Sequence, residues 1–366
     1  MRLVYLSPVS WSSFEQRPHK FVRWYHLRTQ APVLWIDPYP ARFPRISDWE
    51  RVRKQLALTY PTEQIPPWLS IIRPRALPIE PLPGLAQFNR VLWTGIVAEV
   101  SRFIGSGDAM IVCGKPSLLA LDILAKFSRH CSMYDAMDDF PSFHRGLAKR
   151  ALCTREMQLI ARVDTLWASS RKLVHRLSKQ RSDVQLVPNG LDPALLPVPR
   201  RRTIVRASPV VFGYVGTMAA WFDWDIIFAL ARARPQDRIR LVGPLEVGPN
   251  RSLPSNIELH PPVPHALALQ IMNEFDVGLI PFKRNSLTDS VDPIKYYEYR
   301  ALGVPVLSTD FGEMASRKNM PGVHLIDVSR NLADTASRAV ADTTALDTAF
   351  AKRHSWEAVF DAARLN

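Results

Sequence analysis

Short apolar runs alternate along this chain with longer stretches whose apolar positions recur every three to four residues. The runs at 3–6, 33–36, 69–72, 109–113, 131–134, 165–168 and 184–187 predict strands. Each is apolar almost without interruption, the pattern of a strand covered on both faces rather than on one. Helices are predicted at 19–29, 88–103, 118–127 and 146–161. Strand and helix in alternation imply a parallel sheet with helices packed on it.

The pattern then breaks. Leu195-Leu196-Pro197-Val198-Pro199-Arg200-Arg201-Arg202 is proline-rich, charged and without periodicity, and reads as a linker. A second series follows, with strands expected at 210–215, 239–242, 257–259, 277–280, 306–308 and 323–326, and helices at 223–233, 266–273, 294–302 and 332–341. The expected fold class is therefore α/β, with two Rossmann-like doubly wound domains facing across a cleft, 1–195 and 205–353. Ligands of such sheets bind at the carboxyl ends of the strands. The proline-heavy segment 61–83 reads as an irregular excursion over the surface.

Composition adjusts this picture in three ways. The chain has 366 residues, 47% of them hydrophobic, which suits two soluble globular domains. No apolar run reaches the roughly 18–20 residues a membrane helix needs, and the start Met1-Arg2-Leu3-Val4-Tyr5-Leu6 reads as a core strand rather than a signal peptide. The three cysteines have no metal spacing; Cys113 and Cys131 fall in predicted strands and are expected to be buried free thiols. The net charge of +13 is uneven: residues 1–200 hold 28 Lys and Arg against 16 Asp and Glu, residues 201–366 hold 19 against 18. A basic first half suits an anionic partner. Its arginines are scattered among Trp and Leu, which favours an anionic membrane surface or a phosphorylated acceptor over nucleic acid.

The richest chemistry lies in Asp292-Pro293-Ile294-Lys295-Tyr296-Tyr297-Glu298-Tyr299-Arg300-Ala301-Leu302-Gly303-Val304-Pro305-Val306. Lys295 and Glu298, three residues apart, share one helix face. Gly303 ends the helix and Val304-Pro305 leads into a strand. A cation in the first turn of a helix suits a diphosphate. A carboxylate one turn on can accept from two ribose hydroxyls. Solvated helix residues paired with each other are the plainer alternative.

Several segments together resemble the GT-B glycosyltransferases, close to glycosyltransferase family 4 and the bacterial exopolysaccharide and teichuronic acid transferases. Pro188-Asn189-Gly190-Leu191-Asp192 resembles the family's interdomain segment. Phe212-Gly213-Tyr214-Val215-Gly216-Thr217 resembles its strand and glycine loop, and Glu298 to Val306 its Glu-Ala-x-Ala-x-Gly-x-Pro-Val. His354-Ser355-Trp356-Glu357 resembles the last helix, which in this fold crosses back onto the first domain, so that 354–366 is expected there. Gln16-Arg17-Pro18-His19 and Tyr134-Asp135-Ala136-Met137-Asp138-Asp139 resemble segments of polysaccharide and teichuronic acid relatives. Retaining members carry a second glutamate eight residues before the one matched by Glu298; Ser290 stands there. The spacing of Lys295 and Glu298 is instead similar to the donor site of the inverting xanthan glucuronosyltransferase.

The resemblance implies transfer of a hexose or hexuronic acid from a nucleotide sugar, UDP-linked, to a lipid-linked or growing polysaccharide. The enzyme would be cytoplasmic, peripheral on the inner face of the cell membrane, with no cofactor and no metal. Gly216, Thr217, Lys283, Ser290, Lys295 and Glu298 would bind the donor nucleotide. Arg17 and His19 would contact the acceptor, and one of Asp138 and Asp139 would act as base while the other caps a helix. Rival readings are a retaining transferase, a UDP-sugar 2-epimerase, and a non-catalytic glycan- or partner-binding protein.

Overall fold

The computed structural model describes residues 1–39, 65–77, 87–200, 209–326, 331–343 and 346–365. The chain divides into two compact units. The first comprises Met1–Ser169, Leu173–Val187 and Ala363–Asn366, and the second Ser170–Lys172 and Pro188–Ala362. The division thus falls at Val187, ahead of the proline-rich stretch. Residues 201–202 of that stretch, position 205, and both ends of the segment 61–83 lie outside the described residues.

In the first unit the elements run β1 (Arg2–Leu6), α1 (Arg17–Thr29), β2 (Val33–Ile36), β3 (Leu69–Ile72), α2 (Phe88–Ile104), β4 (Ala109–Cys113), α3 (Leu118–Lys126) and β5 (Cys131–Ala136). A 3-10 turn (Phe140–Phe143), α4 (Gly146–Ile160), β6 (Thr165–Ala168), α5 (Arg171–Leu177) and β7 (Gln185–Leu186) follow. The sheet has the order β3-β2-β1-β4-β5-β6-β7, and its strands pair in parallel. Every residue of β2, β4 and β6 is buried. That double-sided burial is why these strands read as continuous apolar runs. Cys113 is buried as expected, whereas Cys131, the first residue of β5, is exposed.

The second unit contains β8 (Val211–Val215), α6 (Trp224–Ala233), β9 (Arg238–Val242), β10 (Ile257–His260), α7 (His265–Glu274), β11 (Val277–Ile280) and α8 (Ile294–Ala301). It continues through β12 (Val306–Thr309), α9 (Gly312–Ser316), β13 (Val323–Ile326), α10 (Leu332–Val340), α11 (Phe350–Arg353) and α12 (Trp356–Ala362). Its parallel sheet has the order β10-β9-β8-β11-β12-β13. Both sheets reverse their winding beside the first strand of the unit, between β1 and β4 and between β8 and β11. Such reversals open a crevice at the carboxyl edge.

Over the expected helix 354–366 the structure has one short helix, α12, which is counted with the second unit. Only the last residues join the first unit. There the Arg364 carbonyl accepts from Trp167 Nε1 and Gln185 Nε2, each at 3.3 Å, and its N–H donates to Gln185 Oε1 at 3.0 Å.

Two glycines set how closely the end of α7 and the helix α8 sit on the second sheet. Gly213 of β8 lies opposite Gly278 of β11. A Cβ at 213 would fall 2.2 Å from the Phe275 ring, and one at 278 would fall 2.6 Å from the Tyr299 ring. The pair forms a notch in which both rings seat, and the Tyr299 hydroxyl donates to the Gly213 carbonyl at 3.3 Å. Gly213 therefore serves packing.

Candidate active site

In the second unit, the loop from β11 to α8 is turned by its own side chains. Asn285 Oδ1 accepts from the N–H groups of Leu287 (3.0 Å) and Thr288 (3.2 Å), and the Thr288 hydroxyl donates back to the Lys283 carbonyl. Pro293 then precedes α8, so Lys295 falls in the first turn and Glu298 in the next. Lys295 Nζ donates to Glu298 Oε2 at 2.7 Å. From the start of α7, His265 Nε2 meets Glu298 Oε1 at 2.8 Å. The Glu298 side chain is 3% exposed, against 22% for Lys295 and 46% for His265. Burial by itself would raise the Glu298 pKa, but Lys295 and His265 more than offset it and hold the carboxyl below its ordinary value. Each carboxylate oxygen has lone-pair capacity beyond its one partner.

The other donor residues read from the sequence sit on loops at the same carboxyl edge, and they fare differently. Gly216 has φ +154°, and a Cβ on Gly243 would come within 2.2 Å of its carbonyl oxygen. Its N–H donates to the Val242 carbonyl at 2.9 Å. It joins two loops and has no amide left for a phosphate, a correction to the expected role. Thr217 beside it accepts from the Tyr214 hydroxyl through its carbonyl at 3.1 Å. Among the described residues its N–H and hydroxyl have no partner. Lys283 is exposed and Ser290 is buried.

Asp292 has a role the sequence did not disclose. Its Oδ1 accepts from Arg317 at 2.7 Å, and its Oδ2 from the Tyr297 hydroxyl and the Asn189 N–H, both at 2.8 Å. Asn189 Nδ2 donates to the Asp292 carbonyl at 2.7 Å. The Arg317 guanidinium lies 3.9 Å from the Tyr296 ring centroid. The turn at Asn189-Gly190 also packs on the Ser355-Trp356 segment. A Cβ on Gly190 would lie 3.0 Å from the His354 carbonyl oxygen, and Leu191 exchanges backbone bonds with His354 and Trp356 at 3.0 Å. Two segments read as separate motifs are thus one assembly, and Asp292 fastens it to the start of α8.

In the first unit, three aspartates follow one another at the end of β5 with three different fates. Asp135 is fully buried and holds Arg17 in a bidentate pair at 2.8–3.0 Å. Asp139 accepts from the Ser142 hydroxyl at 2.8 Å and lies 3.6 Å from Arg176. It sits at the start of the 3-10 turn but bonds a side-chain hydroxyl there and no backbone N–H, so the expected side-chain cap is not formed. Among the described residues the Asp138 carboxyl accepts no hydrogen bond. Burial raises its pKa, Arg17 draws it down, and the neighbouring Asp139 and Asp135 raise it again, so that it is pushed up to about 7. It keeps some contact with solvent. A carboxyl held near neutrality can take a proton from a hydroxyl.

Arg17 and His19, expected to touch an acceptor, are instead turned inward, both 1% exposed. Besides Asp135, Arg17 donates to the Val187 carbonyl at 2.9 Å, which ties α1 to two distant parts of the unit. His19 Nδ1 accepts from the Gln16 N–H at 3.2 Å, so its proton is on Nε2, which meets the Trp11 carbonyl at 3.2 Å. Burial lowers its pKa and keeps it neutral. Its ring packs against Trp11 and Trp35. Both residues are structural because the segment that carries them starts a buried helix. Among the described residues there is no cluster of metal-ligating side chains and no helix long and apolar enough to cross a membrane.

No family model matches the sequence. A stretch of 186 residues, 46% of this chain, is 27% identical to a Bacillus subtilis (strain 168) protein assigned provisionally as the teichuronic acid biosynthesis glycosyltransferase TuaH. The match spans 45% of that relative, less than half its length. Solved structures extend the likeness to the whole chain. Anabaena HepE in complex with UDP-glucose aligns over 99% of this chain and 97% of its own, with TM-score 0.63 and 15% identity. The lipopolysaccharide outer core galactosyltransferase WaaB, in its apo form, gives 99%, 97%, 0.62 and 12%. Sucrose-phosphate synthase from Thermosynechococcus elongatus gives 98%, 96%, 0.62 and 14%. At such identities the likeness speaks for architecture, and with the two doubly wound parallel sheets it establishes that this chain has the GT-B fold.

Proposed function

We propose that the chain is a glycosyltransferase that moves a hexose or hexuronic acid from a nucleoside diphosphate sugar, with UDP as carrier, to a lipid-linked or growing polysaccharide acceptor. The observation that carries this reading is the buried, ionised Glu298 beside Lys295, at the carboxyl edge of the second sheet. A carboxylate of that kind suits a ribose diol. A lysine in the first turn of the same helix suits the diphosphate, whose charge grows as the bond to the sugar breaks. Lys283 and the Thr217 amide supply further donors on neighbouring loops. HepE was solved with UDP-glucose and TuaH is assigned to teichuronic acid synthesis, which supports the donor and acceptor classes. Asp138 takes the acceptor proton, and with Ser290 in place of a second glutamate the reaction inverts the anomeric centre. The basic first half favours a peripheral position on an anionic membrane face.

Thermal unfolding with UDP, UDP-sugars, GDP and ADP tests the donor. UDP compounds at a hundred times their Kd would stabilise the protein by about 2.7 kcal/mol, and Lys295→Ala and Glu298→Ala would lose most of that shift. Stabilisation by GDP or ADP alone would rule out UDP, and silence from every nucleotide would remove the donor reading. UDP-sugar turnover with no acceptor present would point to an epimerase.

A further inference from the structure

We infer that His265 is a positioning residue of the nucleotide site, holding the Glu298 carboxylate in register for the ribose hydroxyls while Lys295 turns to the diphosphate. This rests on the reading of Glu298 as ribose anchor. A single lysine serves two anions in that reading, the buried carboxylate and the incoming diphosphate. As its charge is drawn to the phosphates, its hold on Glu298 weakens, and a buried carboxylate with too few donors is costly. His265 is the donor that stays. It comes from another helix, α7, and its Nε2 lies 2.8 Å from Oε1, while Lys295 occupies Oε2. The two donors therefore do not compete for one oxygen, and each oxygen keeps capacity for a hydroxyl.

His265 also differs from the structural histidine of the first unit. His19 is buried and both its ring nitrogens are engaged. The His265 side chain is 46% exposed, and Glu298 is its one hydrogen-bond partner among the described residues. Nothing in helix α7 needs that imidazole for a cap or for packing, since the buried residues of the helix are Ala268, Leu269 and Met272. What the contact orients is the carboxylate.

The test compares UDP with 2′,3′-dideoxy-UDP by calorimetry on wild type, His265→Ala and His265→Gln. Wild type should prefer UDP. His265→Ala should weaken UDP by about tenfold, the scale of one hydrogen bond to a charged group, and leave the dideoxy compound unchanged; the Gln side chain, which keeps an N–H donor, should recover part. Equal weakening of both nucleotides, or unchanged UDP binding, overturns the inference. If wild type binds both nucleotides equally, the ribose role of Glu298 falls and His265 with it, while UDP binding stands. If wild type binds neither, the donor reading itself has failed. Thermal unfolding of each variant without nucleotide separates loss of fold from loss of register.

Discussion

Asp138 and Glu298 are both carboxylates set in partly or wholly buried ground, one in each unit, and they are perturbed in opposite directions. Glu298 has a donor on each oxygen and is held ionised below its ordinary pKa. Asp138 accepts nothing among the described residues and is pushed up to about 7. The cation that draws its pKa down, Arg17, is already engaged by Asp135. Burial pushes both groups the same way; what separates them is whether a cation is left over. A carboxylate with dedicated partners is suited to anchoring a ligand, and one without to taking up a proton, which is the division of roles proposed above.

The largest effect should come from removing the unpartnered acid. Asp138→Asn is expected to lower turnover by about 10²–10⁴-fold, whereas Asp139→Asn, which loses a turn contact, should lower it far less. A steady-state assay across pH should show the wild-type rate rising as Asp138 loses its proton near pH 7. The stability sign is the reverse. A carboxyl raised in the folded state binds its proton more tightly there than when unfolded, so its contribution to stability is lost as pH climbs through about 7. Asp138→Asn should therefore gain stability relative to wild type above that pH. Equal activity losses for the two aspartates would break the contrast.

Next in size is Asp135→Asn. It leaves the buried Arg17 guanidinium without its carboxylate, for which about 3–5 kcal/mol of stability is the expected loss, read by denaturant unfolding. In whatever fraction stays folded, the freed charge and the missing neighbour should both lower the Asp138 pKa and move the activity profile toward acid. An unmoved profile would mean that Arg17 does not govern Asp138. The smallest effect should follow Gly213→Ala in the other unit. The added methyl meets the Phe275 ring, and about 1–3 kcal/mol should be lost by overpacking, with a raised donor KM if α8 shifts. A neutral result would show that the notch does not hold α8.

The strands and long helices were legible because a doubly wound sheet buries its strands on both faces, so that β2, β4 and β11 announce themselves as bare apolar runs. Lys295 and Glu298 were legible because helix spacing alone puts them on one face. The helices α5 and α9 were missed, being too short to show a period. Arg17 and His19 were misread because a motif next to a helix start looks the same whether it faces a ligand or the core. His265 carried no local signal at all, since its partner Glu298 lies 33 residues away.

What the sequence by itself determined is the alternation of elements, the two-sheet architecture and the cation–carboxylate pair of α8, all of which depend on periodicity within a few turns. Only the tertiary structure decided which of two adjacent aspartates is free, which arginine neutralises which acid, and which histidine is exposed. Those outcomes depend on distances between residues far apart in the chain, and a carboxyl's proton affinity answers to its neighbours in space rather than in sequence.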